Sequence, residues 1–166
     1  RIAIGEALTN IAAADVQLER VKISANWMAA CGTDGEDAKL FDAVRAASEL
    51  CQVLGISIPV GKDSLSMKTS WQEGRADKVV VAPVSLIASA AAPIDDVRRS
   101  LTAQLVADND TLLLLIDLGA GRNRMGGSIL SQVTRQVGDE APDLDDPEKL
   151  AALMRVLRQL QRDGRL

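Results

Sequence analysis

A two-layer fold that mixes helices and strands, α/β or α+β, is what this sequence predicts. Three observations lead there. Strand-like and helix-like periodicities interleave along the whole chain. Of its 166 residues, 47% are hydrophobic and 25% charged, the balance of a domain that buries a real core. Two helix-end signals are explicit: Gly55 closes one long apolar repeat, and Asp146-Pro147-Glu148 opens another.

The elements follow in order. Residues 1–14 place Ile4, Leu8, Ile11 and Ala12 on one helical face. Residues 20–25 alternate and read as a strand, and the turn-rich residues 31–36 follow it. Residues 37–54 repeat apolar side chains at Leu40, Phe41, Val44, Ala47, Leu50, Cys51 and Leu54, the stripe of an amphipathic helix. Residues 56–60 form a short strand whose Pro59 favours a strand end or an edge. Residues 61–67 connect it to an extended segment through Trp71, and residues 72–78 are polar and turn-like. Residues 79–91 are apolar and β-branched enough for one long strand. A short helix is expected within 93–104 and a break at Asp108-Asn109-Asp110. Residues 111–118 have the continuous apolar character of a fully buried strand. A glycine-rich loop (119–127), a helix (128–136) and an acidic loop (138–145) come next. In the last helix Asp146 is the N-cap, Pro147 sits at the first helical position, and Leu150, Leu153, Met154, Leu157 and Leu160 line one face. The helical repeat is already running at Arg1 and a strong helix approaches Leu166, so a segment of a longer polypeptide is expected.

Composition excludes several function classes. The net charge is −4 and no basic patch is evident, so nucleic acid is not an expected partner. The aromatics are Trp27, Phe41 and Trp71, too few for a base-stacking platform. With no His, Ser-His and Cys-His catalysis and imidazole metal ligation are absent from the chain. Cys31 and Cys51 are not spaced as a metal site and read as inert thiols of a reducing, cytoplasmic compartment. The longest apolar run, residues 112–116, is strand-sized and far below the ~18 residues of a membrane span.

Four short strings offer binding chemistry. Glu6 and Asn10 are four residues apart on a helix and project from the same face. A carboxylate and an amide oxygen so placed suit magnesium shared with a phosphate, although an ordinary solvated face has the same spacing. Asn26 and Trp27 end a strand, where ligands of sheet proteins often sit; a turn Asn beside a half-buried Trp accounts for them equally. Gly61-Lys62-Asp63-Ser64 carries a Lys and a hydroxyl fit for phosphate, but lacks the upstream glycine of a P-loop, and Asp63 stands where the P-loop has Ser or Thr. The Gly119–Gly127 loop has the strand-to-helix context of a dinucleotide fingerprint but not its spacing, because Arg124 replaces the third glycine.

Taken jointly and in order, these strings resemble one family. G-E-A-L-T-N-I-A-A, K-I-S-A-N-W-M-A-A, G-E-D-A-K-L-F-D-A-V, I-P-V-G-K-D-S-L-S-M-K-T-x-W and L-L-L-I-D-L-G are similar to the large, single-chain formylglycinamide ribonucleotide amidotransferases (phosphoribosylformylglycinamidine synthases). The resemblance covers essentially the whole chain. It implies an α+β fold: an aminoimidazole ribonucleotide synthetase N-terminal-like unit over residues 1–107, lacking its first part, then the truncated start of a C-terminal-like unit over 108–166. Both would belong to the second synthetase-like half.

It also implies a function for the whole enzyme. Formylglycinamide ribonucleotide, ATP and glutamine become the amidine, ADP, phosphate and glutamate in purine biosynthesis. The enzyme is a C–N ligase with glutamine as the amide donor, and ammonia is delivered from a glutaminase domain. By the resemblance Glu6 and Asn10 match magnesium ligands, at an auxiliary ADP or ATP site. Lys62, Asp63 and Ser64, with Asn26, become nucleotide or phosphate contacts, and no residue of this chain is carried over as catalytic. The chain by itself is expected to be inactive, to need the remaining domains of the same polypeptide, and to self-associate. The alternative is a non-catalytic structural or oligomerisation module.

Overall fold

The computed structural model describes residues 1–108 and 110–166. Among them are helices α1 (Ile2–Ile11), α2 (Glu36–Leu54), α3 (Ile129–Thr134) and α4 (Pro147–Arg162). The strands are β1 (Lys22–Met28), β2 (Ser57–Ser64), β3 (Lys68–Glu73), β4 (Ala76–Val81) and β5 (Ser85–Ala91). The chain divides into two units: Arg1–Asp15 with Ile94–Leu166, and Val16–Pro93. All described strands lie in the second unit, and the mixture of helices and small sheets makes the fold α+β.

In Val16–Pro93, β1 is the centre of a three-stranded sheet of order β2-β1-β5. It pairs parallel with β2 and antiparallel with β5, and the β1-to-β2 crossover is carried by α2. Side chains alternate across β1, so Ile23 and Ala25 are buried while Lys22 and Ser24 are exposed. Leu86, Ala88 and Ala90 of β5 sit beside Trp27, Ala25 and Ile23 and share their half-buried or buried side. Onto that side α2 turns Ala47, Leu50, Cys51 and Leu54, all buried. Its stripe is only partly used, because Phe41 and Val44 stay exposed. Gly55, at φ 68°, takes the left-handed cap that ends α2, as the sequence predicts. At the other end Glu36 is buried in the first turn of α2, where the helix dipole favours a carboxylate, and accepts a 2.6 Å bond from Lys39 Nζ.

Three expectations in this unit are corrected. Strand β2 does not stop at residue 60; it runs on to Ser64, because Gly61 lets its backbone close on β1. A Cβ at Gly61 would meet the Ala25 carbonyl oxygen at 2.5 Å. The expected long strand over 79–91 is split into β4 and β5, with Pro83, which has no N–H to give a ladder, in the gap. The polar stretch 72–78 is mostly strand: β3 and β4 form a two-stranded antiparallel sheet with Glu73 opposite Ala76, and Gly74 turns at φ 65°.

In the other unit, α1 and α4 supply the buried face with Ile4, Leu8, Leu150, Ala151 and Met154. Gly5 of α1 faces α4, where a Cβ would lie at an ordinary contact distance of 3.8 Å from a Leu150 methyl. Helix α4 begins as the sequence predicts: Asp146 accepts from the Lys149 backbone N–H, and Pro147 occupies the first turn. The short helix expected near 93–104 is a single 3-10 turn, Val97–Arg99. The buried strand expected at 111–118 is not formed. Leu112 to Ile116 are 52% to 97% exposed, and this unit offers no strand among its described residues with which to pair. Asn109 of the expected break lies outside the described residues.

Asp15 binds this unit together. Its side chain is fully buried and accepts from Arg162 Nε at 2.9 and 3.0 Å. Arg158 Nε lies 2.9 Å away without the alignment of a hydrogen bond, and Arg99 at 3.6 Å. The Arg162 hydrogen bond, helped by the charges of Arg158 and Arg99, holds the Asp15 carboxyl below its ordinary range against the opposing effect of burial. A depressed folded pKa stabilises above the unfolded carboxylate value of about 4 and ceases to do so as pH falls through the folded value. Acid titration of unfolding should therefore show a loss of stability below pH of about 4 that is smaller in Asp15→Asn, which at neutral pH should be destabilised by about 1–3 kcal/mol. In the sheet unit, Gly61→Ala should lower the urea midpoint by the equivalent of about 1–3 kcal/mol, since backbone rather than a pliable side chain stands in the way.

Candidate functional site

Glu6 and Asn10 project from α1 and are exposed, in a helix whose other faces carry Ile4, Ala7 and Leu8 inward. Thr9 bends back to donate its hydroxyl to the Glu6 carbonyl at 3.0 Å. Glu6 and Thr9 line a cavity of about 440 Å³, and Asn10 lies outside its lining. The floor is apolar, from Ile2, Leu144 and Leu150. The glycine-rich loop also lines it through Gly119, Arg122 and Arg124, with Asp117 just ahead of the loop.

That loop is built around its own charges. Asp117 accepts from the Gly119 N–H at 2.7 Å and from the Gly121 N–H at 2.8 Å. These two backbone donors, Gly121 first, hold the Asp117 carboxyl below the usual range. The amides that would cradle a phosphate in a dinucleotide loop are thus already bonded. Arg124 donates to Asp145 at 2.7 and 3.3 Å and to the Asp143 carbonyl at 3.1 Å, and is largely covered. Its hydrogen bond keeps the Asp145 carboxyl low, with Arg122 adding charge at 3.6 Å. Gly126 is needed for packing: a Cβ there would meet the Glu140 carbonyl at 2.6 Å, and its N–H donates to that oxygen at 2.7 Å. Gly127 donates to the Val137 carbonyl at 2.8 Å. The loop is a folded clasp on residues 137–145, which answers the dinucleotide reading in physical terms.

The remaining sequence-selected residues lie in the sheet unit. Asn26 of β1 pairs with Lys62 of β2, and Met28 with Ser64, so Asn26, Lys62 and Ser64 share the face turned away from Ile23 and Ala25. Lys62 Nζ is 3.5 Å from Ser64 Oγ, and the buried Asn26 Oδ1 has no hydrogen-bond partner. Asp63 pairs with Trp27 and points to the opposite face. Strand alternation thus splits the G-K-D-S string, gathering Asn26, Lys62 and Ser64 and sending Asp63 elsewhere.

Neither cysteine is poised for chemistry. Burial pushes the thiol of Cys51 up; desolvation and then the Asp37 carboxylate do the same to Cys31. Both are protonated near neutral pH. Among the described residues no three His, Cys, Asp or Glu side chains gather as a metal site, and no helix is long and apolar enough to cross a membrane.

With this geometry the comparison with known proteins is specific. The family model of the FGAR-AT PurM_N-like domain matches residues 1–93. The chain belongs to that family. FGAR-AT PurM_N-like domains come from the formylglycinamide ribonucleotide amidotransferase of purine biosynthesis, and the match takes in G-E-A-L-T-N, S-A-N-W-M and G-K-D-S alike. It ends before the glycine-rich loop, whose Arg122 and Arg124, with Asp117 ahead of the loop and Asp143 beyond it, the sequence reading did not select as site residues. The available signal was the Arg122-x-Arg124 pair facing the acidic run Asp143, Asp145 and Asp146.

Because Gly126 N–H and Cα close directly on Glu140, Gly126→Ala should open the clasp. The expected result is faster amide exchange at residues 126 and 127 than in the native chain, with α1 protection unchanged.

Proposed function

We propose that this FGAR-AT PurM_N-like chain is part of the second synthetase-like half of the amidotransferase, with an N-terminal-like unit over 1–107 and the start of a C-terminal-like unit over 108–166. Its role there is to hold a magnesium nucleotide, ADP or ATP, at an auxiliary site on α1. The observation that carries this is the placing of Glu6: an exposed carboxylate on the wall of a cavity whose other acids are committed. Asp117 is bonded to Gly119 and Gly121, and Asp143 to Arg1 and the Leu144 N–H.

The donor set fits magnesium in kind. Glu6 and Asn10 bring a carboxylate and an amide oxygen from one helix face, and a hard cation of about six oxygens draws the rest from phosphate, water and the other domains of the polypeptide. When bound, the ion would neutralise phosphate charge. Glu6 would hold it at the cavity, Asn10 would add an oxygen from one turn further along α1, outside the lining, and Ile2, Leu144 and Leu150 would limit water on the apolar side. Lys62 and Ser64, with Asn26, form a second polar cluster suited to phosphate; Asp63 stands apart from it.

In the whole enzyme the chain would serve the ligation of ammonia from glutamine to formylglycinamide ribonucleotide, in the cytoplasm. A second reading, an oligomerisation module, is favoured by Leu112 to Ile116, an apolar run 52% to 97% exposed and ready to pair with another chain. Sedimentation across a concentration series tests it: a monomer at every concentration would dismiss it.

For the nucleotide reading the test is calorimetric titration of ADP with and without magnesium. Magnesium-dependent binding is expected. Glu6→Gln should weaken it by about tenfold, the loss of one charge-assisted contact of about 1.5 kcal/mol. Equal affinity of Glu6→Gln and native chain, with the full magnesium effect kept, would refute the assignment.

A further inference from the structure

We propose that Arg122 is the phosphate-reading residue of the α1 cavity, pairing through its guanidinium with a phosphate group on a ribose-containing ligand. The inference rests on the reading above in taking the ligand to carry ribose and in placing Glu6 before the same ligand.

Four observations lead to it. First, the cavity carries opposite charges on separate elements, with Glu6 on α1 and Arg122 on the glycine-rich loop. A ligand that presents an anion and recruits a cation satisfies both walls, and a phosphate with its counter-ion is that ligand.

Second, the glycine amides of the loop, the donors a phosphate loop relies on, are already bonded. The Gly119 and Gly121 amides are bonded to Asp117, and the Gly126 and Gly127 amides to the Glu140 and Val137 carbonyls. The exposed Arg122 side chain is then the charged donor this wall can offer an anion.

Third, the two arginines of the loop are not equivalent. Arg124 is 13% exposed and is consumed by Asp145 and the Asp143 carbonyl. Arg122 is 60% exposed, and its ion pair with Asp145 is 3.6 Å long, to an oxygen that Arg124 already holds at 2.7 Å. A guanidinium so weakly held can turn to a phosphate and take two of its oxygens at once.

Fourth, Asp145 is left satisfied when Arg122 turns, because Arg124 keeps both of its oxygens bonded. Engagement of ligand by Arg122 therefore strands no carboxylate.

The shared chemistry is a phosphate on ribose, whether from a nucleoside diphosphate or from a sugar phosphate. The experiment titrates ADP, ribose 5-phosphate and adenosine into the native chain, Arg122→Ala, Arg122→Lys and Glu6→Gln, each with and without magnesium. Arg122→Ala should weaken the phosphate ligand by about tenfold with or without the ion and leave adenosine unchanged, and Arg122→Lys, which keeps the charge but not the two-oxygen pairing, should restore only part of the loss. The arm that loses affinity, ADP or ribose 5-phosphate, identifies the source. If Arg122→Ala binds both phosphates as the native chain does while Glu6→Gln loses the magnesium effect, the Arg122 proposal is wrong and the magnesium reading stands. If Glu6→Gln is unchanged and Arg122→Ala is impaired, the reverse holds. Absence of phosphate-ligand binding by the native chain would overturn both.

Discussion

A buried carboxylate at the end of the first helical segment organises the unit that carries the α1 cavity. Asp15 has no solvent of its own, and its charge is met from two other stretches of chain: Arg99 of the 3-10 turn, and Arg158 and Arg162 of α4. Residues more than 140 apart are thereby fixed against each other. The neighbouring backbone uses the same convergence. Ala13 accepts from the Leu101 N–H at 2.7 Å and from Gln161 Nε2, which also reaches the Arg99 carbonyl. A buried ion is a poor source of net stability, because desolvation cancels much of the attraction. Its value here is positional. The placement of α4 that brings Arg158 and Arg162 to Asp15 also sets Leu150 beside Gly5, in the cavity that Glu6 lines.

The sheet unit is governed by a different constraint, the distance between two backbones. Gly61 opposite Ala25 admits β2 close enough to extend the parallel ladder through Ser64. The extension has a chemical result. In a connection, Lys62, Asp63 and Ser64 would be free to converge on one ligand. In a strand, alternation sends Asp63 toward the Trp27 side, and keeps Lys62 and Ser64 beside Asn26. The unpartnered Asn26 Oδ1 is the one sign there of unfinished hydrogen bonding among these residues.

What the sequence made legible was local. The α4 start needed only Asp146 and Pro147, and the α2 end only Gly55, because caps depend on neighbours within a few residues. Glu6 was legible as a polar interruption of an apolar helix, and it does line a cavity. What stayed hidden was contact at a distance. No periodicity reports that Asp15 meets Arg162, or that the Gly126 position is set by Glu140. The run 112–116 shows the converse failure. Its composition is that of a central strand, but a strand exists only in company, and the unit contains no described strand to receive it.

The glycine-rich loop shows why a motif is better judged by its hydrogen bonds than by its glycines. Glycine in a phosphate loop serves to expose N–H groups. Here Gly119 and Gly121 turn theirs onto Asp117, while Gly126 and Gly127 give theirs to the strandless segment 137–140. Glycine content is spent on folding the loop, with Gly121 and Gly127 at φ 74° and 70° where a side chain would be strained. With its glycine amides bonded, the charge left on the loop is that of its arginines. Of the two arginines, burial and bonding assign Arg124 to the fold. The same measures leave Arg122 exposed and weakly paired in the cavity that Glu6 also lines.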